Sequence, residues 1–133
     1  MSVPSSFRFH KLWLALGWLL VLAVVYLSLT PHPPEIPVEQ GDKLGHVMAY
    51  AAQMLWFAQI YPARRARTAL ALAFVALGVG LEFAQLFTDY RTFDVADMTA
   101  DALGVAAGWI AAPPRLPNVL QWLDFRLRPR AGG

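Results

Sequence analysis

From Leu12 to Leu29 the chain runs 18 residues without a charge, LWLALGWLLVLAVVYLSL. At 1.5 Å per residue that length crosses most of a hydrocarbon layer about 30 Å thick. Apolar residues lie on every side of this stretch, so it has no face to turn to water. Two more apolar stretches follow, Leu44 to Tyr61 and Thr68 to Phe87, joined by PARRAR (62–67), a Pro-initiated turn too polar to lie in lipid. The fourth, Val95 to Ala112, carries Asp97 and Asp101 near its start and stops at Pro113-Pro114. All ten prolines fall outside the four stretches, as unbroken helices require. The pattern predicts an all-α polytopic membrane protein, a bundle of four transmembrane helices.

Composition agrees. The chain is 57% hydrophobic and 15% charged, against roughly 45–50% and about 25% in soluble domains, too little polar surface for a water-soluble fold of this size. Having no cysteine, it has no disulfide, no thiolate nucleophile and no thiolate metal site. Its net charge of +2 does not mark a nucleic-acid binder, because the basic residues sort by membrane side and form no basic face. Arg8, Lys11, Arg64, Arg65, Arg67, Arg115, Arg126, Arg128 and Arg130 fall on one side; only Lys43 and Arg91 fall on the other. The positive-inside rule then places both termini in the cytoplasm. The first apolar run exceeds a signal-peptide core and ends without a small-x-small site, so it reads as an uncleaved anchor. The expected organisation is a cytoplasmic N-terminus (1–11), a membrane domain (12–112) and a cytoplasmic tail (113–133). The outer segment 31–43 has four prolines and reads as extended. In the tail, 118–127 reads as an amphipathic helix with Leu116, Leu120, Leu123 and Leu127 in one row, its arginines suited to an anionic leaflet.

Ionisable groups inside a span cost on the order of 3 kcal/mol each, so those that remain usually face a protein interior or a wet cavity. His46, Tyr50 and Gln53 form one stripe on the second stretch; Gly78, Glu82, Gln85 and Asp89 form another on the third. On the fourth, Asp94, Asp97, Asp101, Gly104 and Gly108 share a face, and the glycines invite a close helix neighbour within the chain or in a homo-oligomer. All three stripes have their polar members toward the outer side, so they can converge there.

DKLGHVMAY (42–50), GLEFAQ (80–85) and RTFDVADMTADALGVAAG (91–108), in that order and spacing, resemble the VanZ-like family of small bacterial membrane proteins, named for a protein associated with teicoplanin resistance. The resemblance covers roughly residues 40 to 110. It implies that Asp42, Lys43, His46 and Tyr50 match the first motif, Glu82 and Gln85 an E-x-x-Q, and Arg91, Asp97, Gly104 and Gly108 an R…D…G…G. One position departs: where the family pattern is expected to read D-x-x-x-N, this chain has Asp97 and Asp101.

Several roles fit these residues. The plainest is a hydrogen-bonded network joining helices, at roughly 0.6 kcal/mol per contact. Amides would serve that purpose without carboxylates. Asp42, Glu82, Asp89, Asp94, Asp97 and Asp101 against Lys43 and Arg91 leave a formal charge of −4 at the outer side, which calls for protonation or a cation. Asp101, the deeper carboxyl, is expected to hold a proton. The second role is therefore an outward-facing acidic pocket for the headgroup of a membrane lipid, a lipid-linked envelope precursor or a lipophilic glycopeptide. In it Lys43 and Arg91 would hold a phosphate at the rim above Asp94, Asp97 and Asp101. The third is a metal-dependent lipid-modifying enzyme. No resident cofactor is expected, but His46, Glu82, Asp97 and Asp101 are donors that suit a divalent cation. No H-x-x-x-H or H-E-x-x-H spacing is present, and binding is expected ahead of catalysis.

Overall fold

The computed structural model describes residues 7–132. Residues 1–6 of the expected N-terminal segment and 133 of the tail lie outside the described residues. Within them the chain is all-helical, without strands: α1 (His10–Leu29), α2 (Gly41–Ile60), α3 (Arg64–Gln85), α4 (Val95–Ala111) and α5 (Val119–Arg126). The first four overlie the four apolar stretches. The PARRAR sequence is less of a turn than its polarity suggests, because α3 already begins at Arg64. α1 and α3, of 20 and 22 residues, are long and apolar enough to cross a membrane. The 17-residue α4 is shorter, and polar residues interrupt the apolar run of α2.

The four long helices run up and down. One end of the bundle, the near end, gathers the start of α1, the α2–α3 turn and α5; Trp56 donates to the Trp13 carbonyl there at 2.9 Å. The far end gathers the end of α1, segment 30–40 and the α3–α4 loop, where Tyr90 and Arg91 donate to the last carbonyls of α1.

α2 and α4 make the most extensive contact. A Cβ at Gly104 would lie 2.5 Å from the Val47 carbonyl oxygen, and one at Gly108 2.5 Å from that of Ala51. Only hydrogen fits there, so α4 lies directly on the backbone of α2. The glycine face that could have met a second copy is thus taken within the chain. Around this seam Tyr50, Met54, Phe57, Phe74 and Val105 form the core, with Val21 and Val24 of α1 closing it. The opposite face of α1 is exposed and apolar, including Leu19, Leu22 and Tyr26.

α5 forms where the leucine row predicts a helix, with Asn118 accepting from the Gln121 N–H at its start. Part of that row turns inward: Leu120 is buried against Trp13 and Ile60, with Leu123 beside them, while Leu116 and Leu127 stay exposed. Asp124 is buried too. Its carboxylate accepts from the Arg8 and Phe9 backbone N–H groups (3.0 and 2.9 Å), the Trp13 indole (2.9 Å) and Arg128 (3.1 Å). Helix starts leave N–H groups without partners. Here a side chain from the other end of the sequence takes two N–H groups at the entry to α1, those of Arg8 and Phe9. Burial pushes the Asp124 carboxyl up, but these donors more than offset it and hold it down to about 2.

Gly104→Val and Gly108→Val are expected to destabilise by about 1–3 kcal/mol, because a carbonyl oxygen cannot yield as a side chain can. Gly80 is the control, since its Cβ would meet nothing within 4 Å. Gly80→Ala should leave stability unchanged or raise it by up to about 1 kcal/mol; thermal unfolding of the purified protein in detergent checks all three.

The Asp124 contacts carry a pH signature. A carboxyl held near 2 in the fold and about 3.9 in the unfolded chain stabilises fully above pH 4, and the contribution disappears as pH falls from about 4 to about 2. Asp124→Ala, which strands buried donors at a cost of about 1–3 kcal/mol, should remove that acid-limb component from the pH dependence of unfolding.

Candidate functional site

The far-end polar cluster starts from the first turns of α2 and α4, which the glycine seam sets side by side. Asp94 caps α4, its Oδ1 accepting from the Ala96 N–H at 2.8 Å. Its other oxygen accepts from Lys43 Nζ at 2.7 Å, and its own N–H donates to Glu82 Oε1 of α3 at 2.5 Å. Lys43 also donates to Asp42 (2.7 Å) and Asp97 (2.5 Å), so its three ammonium protons meet three carboxylates. The second oxygen of Asp97 lies 3.6 Å from His46 Nε2, and His46 Nδ1 is 2.7 Å from Asp101 Oδ1. Acidic and basic groups therefore alternate from Asp42 through Lys43, Asp97 and His46 to Asp101. Asp42 and Asp94 stay open at the edge of the cluster, while the shielded Asp97, His46 and Asp101 have one another as partners, the condition for keeping such groups among apolar helices.

A cavity of about 510 Å³ lies on the other side of α2. Val24 and Leu27 of α1, Ile36 and Val38 of the segment before α2, and Ala49 contribute to its apolar wall; Asp42, His46, Tyr50, Arg91 and Glu35 are polar members, beside Ser28 and Gln40. Asp42 and His46 thus belong to both cluster and cavity. Arg91 donates to the carbonyls of Leu27 and Thr30, at 3.3 and 3.1 Å, on the side of its head that faces α1.

Of the residues picked from the sequence, Asp42, Lys43, His46, Asp94, Asp97, Asp101 and Glu82 come together. Asp42, His46, Tyr50 and Arg91 line the cavity. Gly78 makes room for the cluster, since a Cβ there would lie 2.6 Å from Asp101 Oδ2. Asp89 stays exposed in the α3–α4 loop, away from the cluster. Gln85 turns to α1, donating to the Ser28 carbonyl at 2.6 Å while its own Oε1 is unpartnered. Gln53 is buried with both amide atoms unpartnered.

One assignment changes: Lys43, expected at the rim to meet a phosphate, has its protons directed at carboxylates. Asp101, expected to hold a proton, shares a hydrogen bond with His46. Among the described residues no group of three or more His, Cys, Asp or Glu side chains is disposed to hold a metal ion; Lys43 stands between the carboxylates that a metal would need. Sequence reasoning passed over Arg67 and Asp124. A lone acid in a tail of arginines was the available signal for Asp124; nothing distinguished Arg67 from its loop neighbours.

The chain is 34% identical over 109 residues to an uncharacterized protein of Schizosaccharomyces pombe. The match takes in 78% of this chain and spans 65% of the length of that relative. No solved structure matches. The VanZ/LLP1 family profile matches residues 6–117, which contain α1 to α4, the polar cluster and the cavity, and the chain belongs to the VanZ/LLP1 family.

Proposed function

We propose that α1 to α4 all cross a bacterial cytoplasmic membrane, with both termini inside, and that the far-end cavity binds the polar headgroup of an amphiphile. α2 and α4 carry charges, but these turn toward one another across the glycine seam, and this supports their lying in lipid. Nine of the eleven basic residues lie in the near-end segments, which the positive-inside rule makes cytoplasmic. The cavity then opens toward the outer leaflet.

The observation that carries the binding role is the make-up of the cavity wall. Arg91 supplies a cation, Asp42 and Glu35 supply anions, and Tyr50 brings a hydroxyl with no partner among the described residues; α1 faces them with apolar side chains. A headgroup with a phosphate for Arg91, an amine for the carboxylates and acyl chains along α1 matches that wall. A lipid, a lipid-linked envelope precursor and a lipophilic glycopeptide of the teicoplanin kind all offer such chemistry. The cluster behind the cavity supports a helix-joining role as well, and the two roles coexist: the network holds α2 in place and α2 presents His46 and Tyr50 to the cavity. A metal-dependent lipid-modifying enzyme would need Asp97 and Asp101 released from Lys43 and His46.

Reporter fusions check the topology. Insertions at Pro62 and after Arg130 should report the cytoplasm, and one at Gln40 the outside; an exported Pro62 junction would overturn it. For binding, the probe is dioleoyl phosphatidylethanolamine, with dioleoylglycerol as the control lacking a headgroup. Arg91→Gln should weaken phosphatidylethanolamine binding by about tenfold or more, the worth of a hydrogen bond to a charged group, and Tyr50→Phe by less. Equal binding of the two lipids, or no effect of Arg91→Gln, would remove the reading.

A further inference from the structure

At the near end, Arg67 is 8% exposed. Its guanidinium donates from Nε to the Tyr61 carbonyl at 3.2 Å, from Nη1 to Pro113 at 2.7 Å and from Nη2 to Ala58 at 2.8 Å. These bonds use three of its five N–H groups, all on neutral carbonyls. A guanidinium stays charged in proteins. The carbonyls at the end of α2 orient this one, yet among the described residues no carboxylate neutralises it.

A second cavity, of about 450 Å³, adjoins it. Its wall holds Arg67 and Arg115, the Trp109 indole, Ile110 and the Pro113-Pro114 pair, with no acid among the described residues. Arg115 is exposed, and among the described residues its guanidinium makes one hydrogen bond, a long 3.4 Å contact to the Ile110 carbonyl. From the cavity an exposed, uncharged face runs along α4 through Ile110, Ala107, Ala106 and Leu103. One guanidinium is held rigid with two N–H groups to spare, a second is free to swing in, and an apolar track leads away.

We propose that this cavity is a phosphate-binding site, with Arg67 and Arg115 as its two arms, and that the phosphate is the headgroup of an anionic phospholipid whose acyl chain lies along α4. Guanidinium groups match phosphate oxygens in pairs, which a single lysine would not. Free phosphate has the same chemistry at the arginines but nothing to place on α4. The site is separate from the far-end cavity and shares no residue with it.

The test uses the purified, delipidated full chain in detergent, followed by native mass spectrometry. Three probes are compared: dioleoyl phosphatidylglycerol, dioleoylglycerol with the same chains and no phosphate, and inorganic phosphate. Phosphatidylglycerol is expected to bind at least tenfold more tightly than dioleoylglycerol. Arg115→Gln should reduce that binding at least fivefold, Arg115→Lys should restore part of it, and Arg126→Gln, outside the cavity, should leave it within twofold. Inorganic phosphate that competes with the lipid but binds more weakly, with the same dependence on Arg115, would support the site; inorganic phosphate that binds as tightly as phosphatidylglycerol would overturn the lipid as its occupant. Dioleoylglycerol binding as tightly as phosphatidylglycerol, or Arg115→Gln binding like the parent chain, would overturn the proposal. Circular dichroism of each variant separates loss of the site from loss of the fold.

Discussion

The bare contact of α4 on the backbone of α2 sets the geometry of everything else. Gly104 and Gly108 leave only hydrogen between the two helices, so their axes approach more closely than larger side chains permit. At that spacing short and medium side chains near the helix starts span the gap. Lys43 reaches Asp94 and Asp97, and His46 reaches Asp101. A wider seam would leave the same groups apart, each ionised or unpaired in apolar surroundings, where an isolated charge costs far more than a paired one.

The alternating order of the cluster follows from the same economy. One ammonium among three carboxylates and one imidazole between two allow each member to face an opposite partner, with Glu82 taking the Asp94 N–H as a tie to α3. This network shapes the far-end cavity indirectly. It fixes the rotation of α2, and that rotation carries His46 and Tyr50 into the wall facing α1.

At the near end the helix termini are closed by side chains from outside the helix concerned. α1 and α3, which start there, have no side-chain capping bond of their own. Asp124 takes N–H groups before α1, and Arg67 takes carbonyls at the end of α2. Helix ends without such partners would expose backbone groups that are expensive to bury. Both side chains thereby tie the first and last segments of the chain to the bundle.

Helix positions were legible in the sequence because apolar length, proline placement and turn polarity are local properties. The polar stripes were legible too, because 3.6-residue periodicity fixes which residues share a face. Partners across helices were a different matter. Nothing in the spacing of Lys43 says that it will meet Asp94 and Asp97 in place of a ligand, since that depends on how closely α2 and α4 approach and how each is rotated. Arg67 and Arg64 look alike in sequence, yet one lies buried on carbonyls and the other at the surface. Asp124 and Phe9 are 115 residues apart along the chain and 2.9 Å apart in the fold. Periodicity assigns a residue to a face; which face it meets is a property of packing in three dimensions, and that is why the network, the Asp124 contacts and both cavities emerged only with the folded bundle.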